Sequence, residues 1–274
     1  MQQGLANWHF VCQSCGLEYS TLEPKINQIE SINEIERENA LRPLRDHNFN
    51  LLVQWLIELA PSNKNPKLKL LDVGSAHGWF LKKAEQQFDV LGIEPDEAVA
   101  SLAANNALNV RKGYFPAVLN DQDKFDVIIF NDVLEHIPSV NNIFTECAKY
   151  LNDDGILVIN APDRGGVFYR ASKLLKKLGN AASFNRMWQV GMPSPHLYYF
   201  DTNSINKIAT LSGFKLVQER PLSSVVAKGL FDRINYAEGN KFINYLIGCA
   251  VLLSIPVLNV MKSDISVWFF KKES

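Results

Sequence analysis

Seven residues, Asp72-Val73-Gly74-Ser75-Ala76-His77-Gly78, lie where the apolar run LKLLDVG gives way to a helical pattern. Small residues in such a turn let a ligand approach the backbone and the free N–H groups at the helix start. Glycine spacing alone suits any nucleotide. Asp72 narrows the choice, because a carboxylate two positions before the first glycine repels a pyrophosphate and attracts a cation. Glu94 closes the next apolar run, DVLGIE, 22 residues further on, where an acidic side chain accepts hydrogen bonds from two ribose hydroxyls. Singly, Asp72 reads equally well as a turn-capping residue and Glu94 as a solvent-facing strand end. Together they favour a nucleoside ligand that carries positive charge and no phosphate.

S-adenosyl-L-methionine (SAM), with an ammonium and a sulfonium, is such a ligand. Methyl transfer from a sulfonium is an in-line displacement with a neutral leaving group, so a protein mainly supplies alignment and a dry site. A base is needed only when the acceptor must lose a proton, as a hydroxyl does, and histidine suits that task near neutral pH. Two of the five histidines, His136 and His196, are the catalytic candidates. Asp132, Glu135 and His136 share one face of a helical turn, so a common ligand is possible, but capping and packing of a short helix explain them as well and no metal is expected. For His196, in PHLYYFD (195–201), a structural hydrogen bond is as good a reading as catalysis.

The elements that must hold these groups alternate. Strands are expected at 68–74, 89–94, 109–112, 125–130, 155–161, 214–220 and 265–270. Helices are expected at 44–60, 77–88, from Pro95 onward, at 139–151, 167–179 and 203–212, and an Ile-spaced stretch (Ile26, Ile29, Ile32, Ile35) could form another. Continuous apolar strands alternating with helices predict an α/β fold with a mostly parallel sheet covered on both faces.

LLDVGSAHGWF, VLGIEPD, FDVIIFNDVLEHIPS and LNDDGILVINAP, in this order, resemble the successive motifs of class I SAM-dependent methyltransferases, close to their ubiquinone-biosynthesis-like branch. The resemblance covers roughly residues 67–220, and ISVWFFKK is similar to that family's final strand. It implies a Rossmann-like three-layer sandwich with a seven-stranded sheet, its last strand antiparallel, and SAM at the carboxyl ends of the strands. Asp72, Gly74, Ser75, Ala76 and Gly78 would line the methionine and ribose part, and Glu94 would hold the ribose. Pro95, Tyr114 and Phe115 would border the adenine, and Asn131 would face the cofactor. Ala76 departs from the family's usual glycine. The Asp132–Glu135–His136 stretch is similar to one that ubiquinone-type O-methyltransferases place near a divalent metal, and PHLYYFD to a segment that hangs over the acceptor.

Composition bounds the rest. The 274 residues carry 28 Lys+Arg against 29 Asp+Glu, a net charge of −1, which argues against a nucleic-acid partner. Hydrophobic residues make up 47%, enough for a full core, and four cysteines are too few for a disulfide scaffold. The first 30 residues hold no apolar run of signal-peptide length, so a cytoplasmic protein is expected. Residues 1–40 read as an extension and 41–274 as the catalytic domain, with insertions at 161–200 and 226–262. The extension contains Cys12-x-x-Cys15, half of a zinc-ribbon-like site; His9 is a third possible ligand, no fourth is visible, and zinc is not expected.

On the acceptor side, 167–179 reads as an amphipathic helix with Phe168, Ala171, Leu174, Leu175 and Leu178 on one face and Arg170, Lys173 and Lys177 on another. That suits an anionic surface or acceptor, or an ordinary solvated lid. Residues 242–260 carry no charge and are long enough to span a bilayer, yet a strand returning to the sheet at 265–270 forbids a single crossing. The expectation is a SAM-dependent methyltransferase for a hydroxyl on an amphiphilic or glycan-type small molecule, lipid-linked or free, with peripheral contact at the inner membrane face. An NAD-dependent oxidoreductase and an inactive scaffold of the same fold are the alternatives.

Overall fold

A computed structural model describes residues 1–25, 34–61, 67–236 and 240–273. In chain order its elements are β1 (Gln2–Gln3), β2 (His9–Val11), β3 (Glu18–Ser20), α1 (Glu34–Leu59), β4 (Lys69–Val73), α2 (Trp79–Ala84), β5 (Asp89–Glu94), α3 (Glu97–Asn105), β6 (Val110–Lys112) and β7 (Phe125–Asn131). A 3-10 turn, Leu134–His136, leads to α4 (Val140–Tyr150), β8 (Leu151–Pro162), α5 (Val167–Lys177), α6 (Ala182–Met187), β9 (Tyr198–Tyr199), α7 (Thr202–Leu211), β10 (Phe214–Pro221), α8 (Leu230–Tyr236), α9 (Lys241–Leu258) and β11 (Ile265–Lys272).

Seven strands form the main sheet in the order β10-β11-β8-β7-β4-β5-β6. All run parallel except β11, which is antiparallel to both neighbours, β8 and β10. Successive strand residues point to opposite faces, and both faces are buried. Leu71, Val73, Ile128, Phe130, Leu157 and Ile159 pack with Phe144 of α4 and Ile205 of α7. Leu70, Val127, Ile129, Ile156 and Val158 pack with Leu52 and Leu56 of α1 and Phe80 of α2. That double burial is why the strands read as unbroken apolar runs. The chain winds from β4 toward β6 on one side and from β7 toward β8 on the other. The carboxyl ends of β4 and β7 therefore flank the switch point, where open α/β sheets bind ligands.

Several boundaries differ from expectation. Helix α1 starts ten residues before Leu44, contains Pro43, and crosses the boundary drawn at residue 40. Of the Ile-spaced stretch, residues 26–33 lie outside the described residues and Ile35 falls within α1. Helix α2 begins only at Trp79, because Gly78 at its N-cap is left-handed (φ 74°). Pro95 does not open α3. Asp96 is its N-cap, accepting a 3.0 Å hydrogen bond from the Val99 amide.

The N-terminal residues, which carry no legible periodicity, form a second sheet in the order β1-β2-β3-β9. Its last strand comes from the 161–200 insertion, with Glu18 paired to Tyr199 and Tyr19 to Tyr198. Behind it Tyr169, Phe184, Trp188 and Tyr199 form a separate aromatic core, joined by Trp8.

Candidate active site

Strand β4 ends in the loop that forms the pocket floor. Gly74 and Ser75 donate backbone hydrogen bonds to the Ile93 carbonyl at 2.7 and 3.0 Å, folding the loop back over β5. Gly74 takes φ 75°, and a Cβ there would stand 2.5 Å from Val133 Cγ2, so the turn needs glycine. Gly92, in β5, leaves room for the Ser75 hydroxyl in the same way. Gly78 is also left-handed, but its face is turned to Leu108, where it serves packing.

Glu94 holds this loop rather than standing free. Its two carboxylate oxygens accept from the Ala76 and Asp96 amides, each at 2.9 Å. Pro95, half-buried, lies between Glu94 and the cap of α3. Tyr114 is exposed, whereas Phe115 packs edge-on against Phe130.

The pocket opens between the ends of β4 and β7. It is lined by Asp72, Gly74, Ser75, Ala76 and His77 of the loop, by Trp79 and Phe80 of α2, by Asn131, Asp132 and Val133 after β7, and by Arg45 and Phe49 of α1. Asp72 is buried, and its Oδ1, like Ser75 Oγ and His77 Nδ1, has no hydrogen-bond partner in the protein. Burial, with the charge of Glu94 added, pushes the Asp72 carboxyl up to about 8. Buried polar atoms without partners are uncommon in folded proteins. Three around one pocket mark a place prepared for a polar ligand.

SAM fits these groups. Its positive charge suits Asp72, and its polar end suits the partnerless Ser75 Oγ and His77 Nδ1, with Arg45 on the same pocket wall. Arg45 and Phe49 are not among the expected site residues; both come from α1, where the sequence predicts a helix and no more. Asn160 was missed too. It is buried at the end of β8, and its amide nitrogen donates to Asn131 Oδ1 at 2.5 Å and Asp132 Oδ1 at 3.3 Å, bracing the pocket wall. Its only signal was a polar residue inside an apolar strand.

The two catalytic candidates, 60 positions apart, meet just past this wall, with rings 4.9 Å apart. His136 Nδ1 lies 3.0 Å from the Pro195 carbonyl. A carbonyl only accepts, so Nδ1 carries a proton, while Nε2 lies 3.9 Å from Glu135 Oε1. His196 Nε2 lies 2.8 Å from the Gln189 side-chain amide nitrogen, and the His196 carbonyl accepts from Ser20 of the N-terminal sheet at 2.8 Å. Glu135 is buried beside His136, and burial plus the Asp132 charge raise its carboxyl well above the usual range. One ligand atom each from Glu135, His136 and His196 fall within 4.8 Å of one another, a grouping able to hold a metal ion.

The insertion is pinned to the N-terminal sheet by one carboxylate. Glu18, 1% exposed, accepts from His9 Nε2 (2.9 Å), Tyr169 Oη (2.7 Å) and Lys173 Nζ (2.5 Å). Burial alone would raise its pKa; the bonds from His9, Lys173 and Tyr169 outweigh that and hold it at about 2. Lys173 thus turns inward, and does not belong to the solvated cationic face expected of 167–179. On the same helix the apolar face turns outward, with Leu174, Leu175 and Leu178 exposed.

His9, committed to Glu18, is also not available to the Cys pair. Cys12 and Cys15 occupy the β2–β3 turn, where Gly16 N donates to the Cys12 carbonyl at 2.8 Å. The Ser14 hydroxyl and neighbouring backbone amides draw the Cys12 thiol down to about 6.

The family described as a methyltransferase domain matches residues 44–219. Ubiquinone biosynthesis O-methyltransferases are among the similar proteins. That of Pelagibacter ubique is 29% identical over 152 residues, covering 48% of this chain and 62% of the relative. That of Rickettsia prowazekii is 29% identical over 129 residues, covering 43% and 50%. The chain thus spans about half the length of the curated relatives it matches. Among solved structures, the cyclopropane synthase MmaA2 from Mycobacterium tuberculosis aligns over 81% of this chain and 84% of its own, with a TM-score of 0.58 at 17% identity. Magnesium protoporphyrin IX methyltransferase from Synechocystis aligns over 90% of each chain, with a TM-score of 0.55 at 16% identity. At such identities the likeness is one of fold.

Proposed function

We propose methyl transfer from SAM to a hydroxyl of a small amphiphilic acceptor as the activity of this chain, which belongs to the methyltransferase-domain family. The observation that carries the reading is the buried, partnerless Asp72 carboxyl at the switch point of the sheet. A dinucleotide would set a pyrophosphate against that carboxyl, so the oxidoreductase alternative is disfavoured; the intact loop and Glu94 disfavour an inactive scaffold.

SAM supplies the electrophilic methyl group when bound. The chain's own residues do the rest. Asp72 orients the cofactor's charged end, and Glu94, by accepting from the Ala76 and Asp96 amides, sets the loop beside the ribose. His136 Nε2 accepts the acceptor's hydroxyl proton as the oxygen attacks, and the Pro195 carbonyl stabilises the imidazolium through Nδ1–H. Glu135, its carboxyl raised by burial and by the Asp132 charge, lies 3.9 Å from the same Nε2. The ubiquinone O-methyltransferase names among the relatives support oxygen as the atom methylated. No metal is part of this mechanism. The acceptor, lipid-linked or free, reaches the site through peripheral contact of the protein with the inner membrane face, a reading supported by the apolar residues exposed on α5 and α9.

Calorimetry with SAM, its demethylated product and NAD should give binding for the first two alone. Incubation of labelled SAM with hydroxylated amphiphiles, read by mass spectrometry, should add one methyl group on oxygen. Binding of NAD in place of SAM would overturn the assignment.

A further inference from the structure

Helix α9 is built inside out for a protein in water. Its 18 residues have a mean hydropathy of 1.8 and contain no acid, and only 11% of the helix is buried. The inward stripe runs through Asn244, Gly248, Val251 and Ser254, with Gly248 pressed against the Phe231 ring of α8. The outward face carries Phe242, Ile243, Leu246, Leu253 and Val257, 52–81% exposed. A water-facing helix shows the reverse arrangement.

Both ends of α9 are tied to the body of the protein. At one end α8 packs on α1, with Gly229 against Pro43. At the other, the Lys262 carbonyl accepts from the Val167 amide at 3.2 Å, Asp163 N donates to the Asp264 carbonyl at 2.9 Å, and β11 enters the sheet beside β8. The helix is about 27 Å long yet cannot cross a bilayer, because both tethers lie on one side. They also lie at the carboxyl edge of β8, the edge on which the SAM pocket opens. Helix α5 starts at that edge and adds exposed Leu174 and Leu178.

Charge selects the occupant. Residues 164–200 and 240–263 contain no Asp or Glu. Among the described residues, Arg170, Lys176, Lys177 and Lys241 have no carboxylate within ion-pair distance, while Lys173 and Arg164 are engaged by Glu18 and Asp201. A second copy of this chain would set these cations against like charge; an anionic leaflet would neutralise them.

We infer that α9 lies in the plane of an anionic leaflet, its outer face among the acyl chains and the free cations of α5 at the headgroups. The catalytic edge is thereby held on the bilayer and the acceptor is drawn from it. This rests on the methyl-transfer reading only in its last clause, since vesicle binding is measured without SAM or acceptor.

The test is sedimentation with phosphatidylglycerol–phosphatidylcholine vesicles. The protein should bind at low salt, lose part of its affinity at high salt, and leave the vesicles on carbonate washing. The Leu246→Asp/Leu253→Asp pair should lose about a hundredfold in binding at any salt, with SAM affinity and melting temperature unchanged. Arg170→Glu/Lys177→Glu should remove chiefly the salt-dependent part, about tenfold or more. The milder Leu246→Ser/Leu253→Ser pair, with a loss in the same direction, serves if the aspartates disturb folding. Wild-type protein that ignores these vesicles, or that is a dimer broken by the aspartate pair, would overturn the proposal. So would resistance to carbonate, which contradicts the two-point tether. If vesicles bind and SAM does not, the membrane site stands and the methyl-transfer reading falls.

Discussion

Binding of SAM should cost a proton, and Asp72 should be the group that gives it up. In the ligand-free pocket burial holds this carboxyl at about 8, so at pH 7 roughly nine in ten molecules carry it neutral. A cationic ligand recruits the ionised form, at about 1.4 kcal/mol for each pH unit below that value. Between pH 5.5 and 7.5 the ammonium of SAM stays charged, so the ligand itself contributes little. Affinity should then rise close to tenfold per unit, roughly 75-fold across the window, and flatten near pH 8. Calorimetry in buffers of different ionisation enthalpy should show nearly one proton released per SAM at pH 7. Asp72→Asn should bind weakly and with no slope. The sign of the stability effect is opposite. Asp72 has a folded value above its unfolded 3.8, so the ligand-free protein is favoured below that pH and loses stability as pH climbs toward 8. Asp72→Asn should therefore melt higher than wild type at pH 8 in the absence of SAM. An affinity that changes less than threefold across the window, or an equal slope in Asp72→Asn, would show that this carboxyl is not the cation's partner.

Other outcomes follow from named contacts. His136→Gln should lower kcat by about 10²–10⁴ with SAM affinity little changed, and His196→Ala should act more weakly through the lid; equal rates in all three proteins would leave alignment as the whole of catalysis. A chelator should leave turnover intact, and a loss restored by a divalent metal would instead assign Glu135, His136 and His196 as ligands. Glu18→Gln should cost on the order of 3 kcal/mol at pH 7, since the folded pKa is about 2 against 4.5. That contribution is present above pH 4.5 and fades as pH falls toward 2, so hydrogen exchange in β2 and β3 should distinguish variant from wild type at pH 7 and not near pH 2. Gly74→Ala should lower SAM affinity at least tenfold, because the new methyl meets Val133 and the residue must hold a positive φ; adding Val133→Ala should recover part of it.

The main sheet was legible because each of its central strands is buried on both faces, leaving apolar runs such as FDVIIF with no helical periodicity to compete. The loop after β4 was legible as a turn between strand and helix because its small residues and Asp72 are local to the strand end. What escaped depends on distant partners. Strands β2 and β3 have three residues each, too few for alternation to register, and their last partner is Tyr198–Tyr199, almost the length of the domain away. Lys173 looked like one more solvated cation because nothing near it in sequence hints at Glu18. Arg45 reaches the pocket from α1, whose place beside the β4 loop is set by tertiary packing and not by any residue near it in sequence. The Pro95 reading failed for a local reason: Asp96, with a side chain that accepts the Val99 amide, is the better cap.

The antiparallel strand β11 has a consequence for how the molecule is made. It lies between β8 and β10, yet both of its neighbours leave the ribosome before it. Until Ile265–Lys272 has been synthesised, the nascent sheet has two unpaired edges facing each other across an empty lane, and such edges invite association with other chains. The residues translated during that interval include α9. The growing chain therefore exposes its most apolar helix before the central sheet can close. A surface or a chaperone that shelters Lys241–Leu258 at that stage would act as a folding aid, holding the apolar helix apart from other chains until β11 closes the sheet.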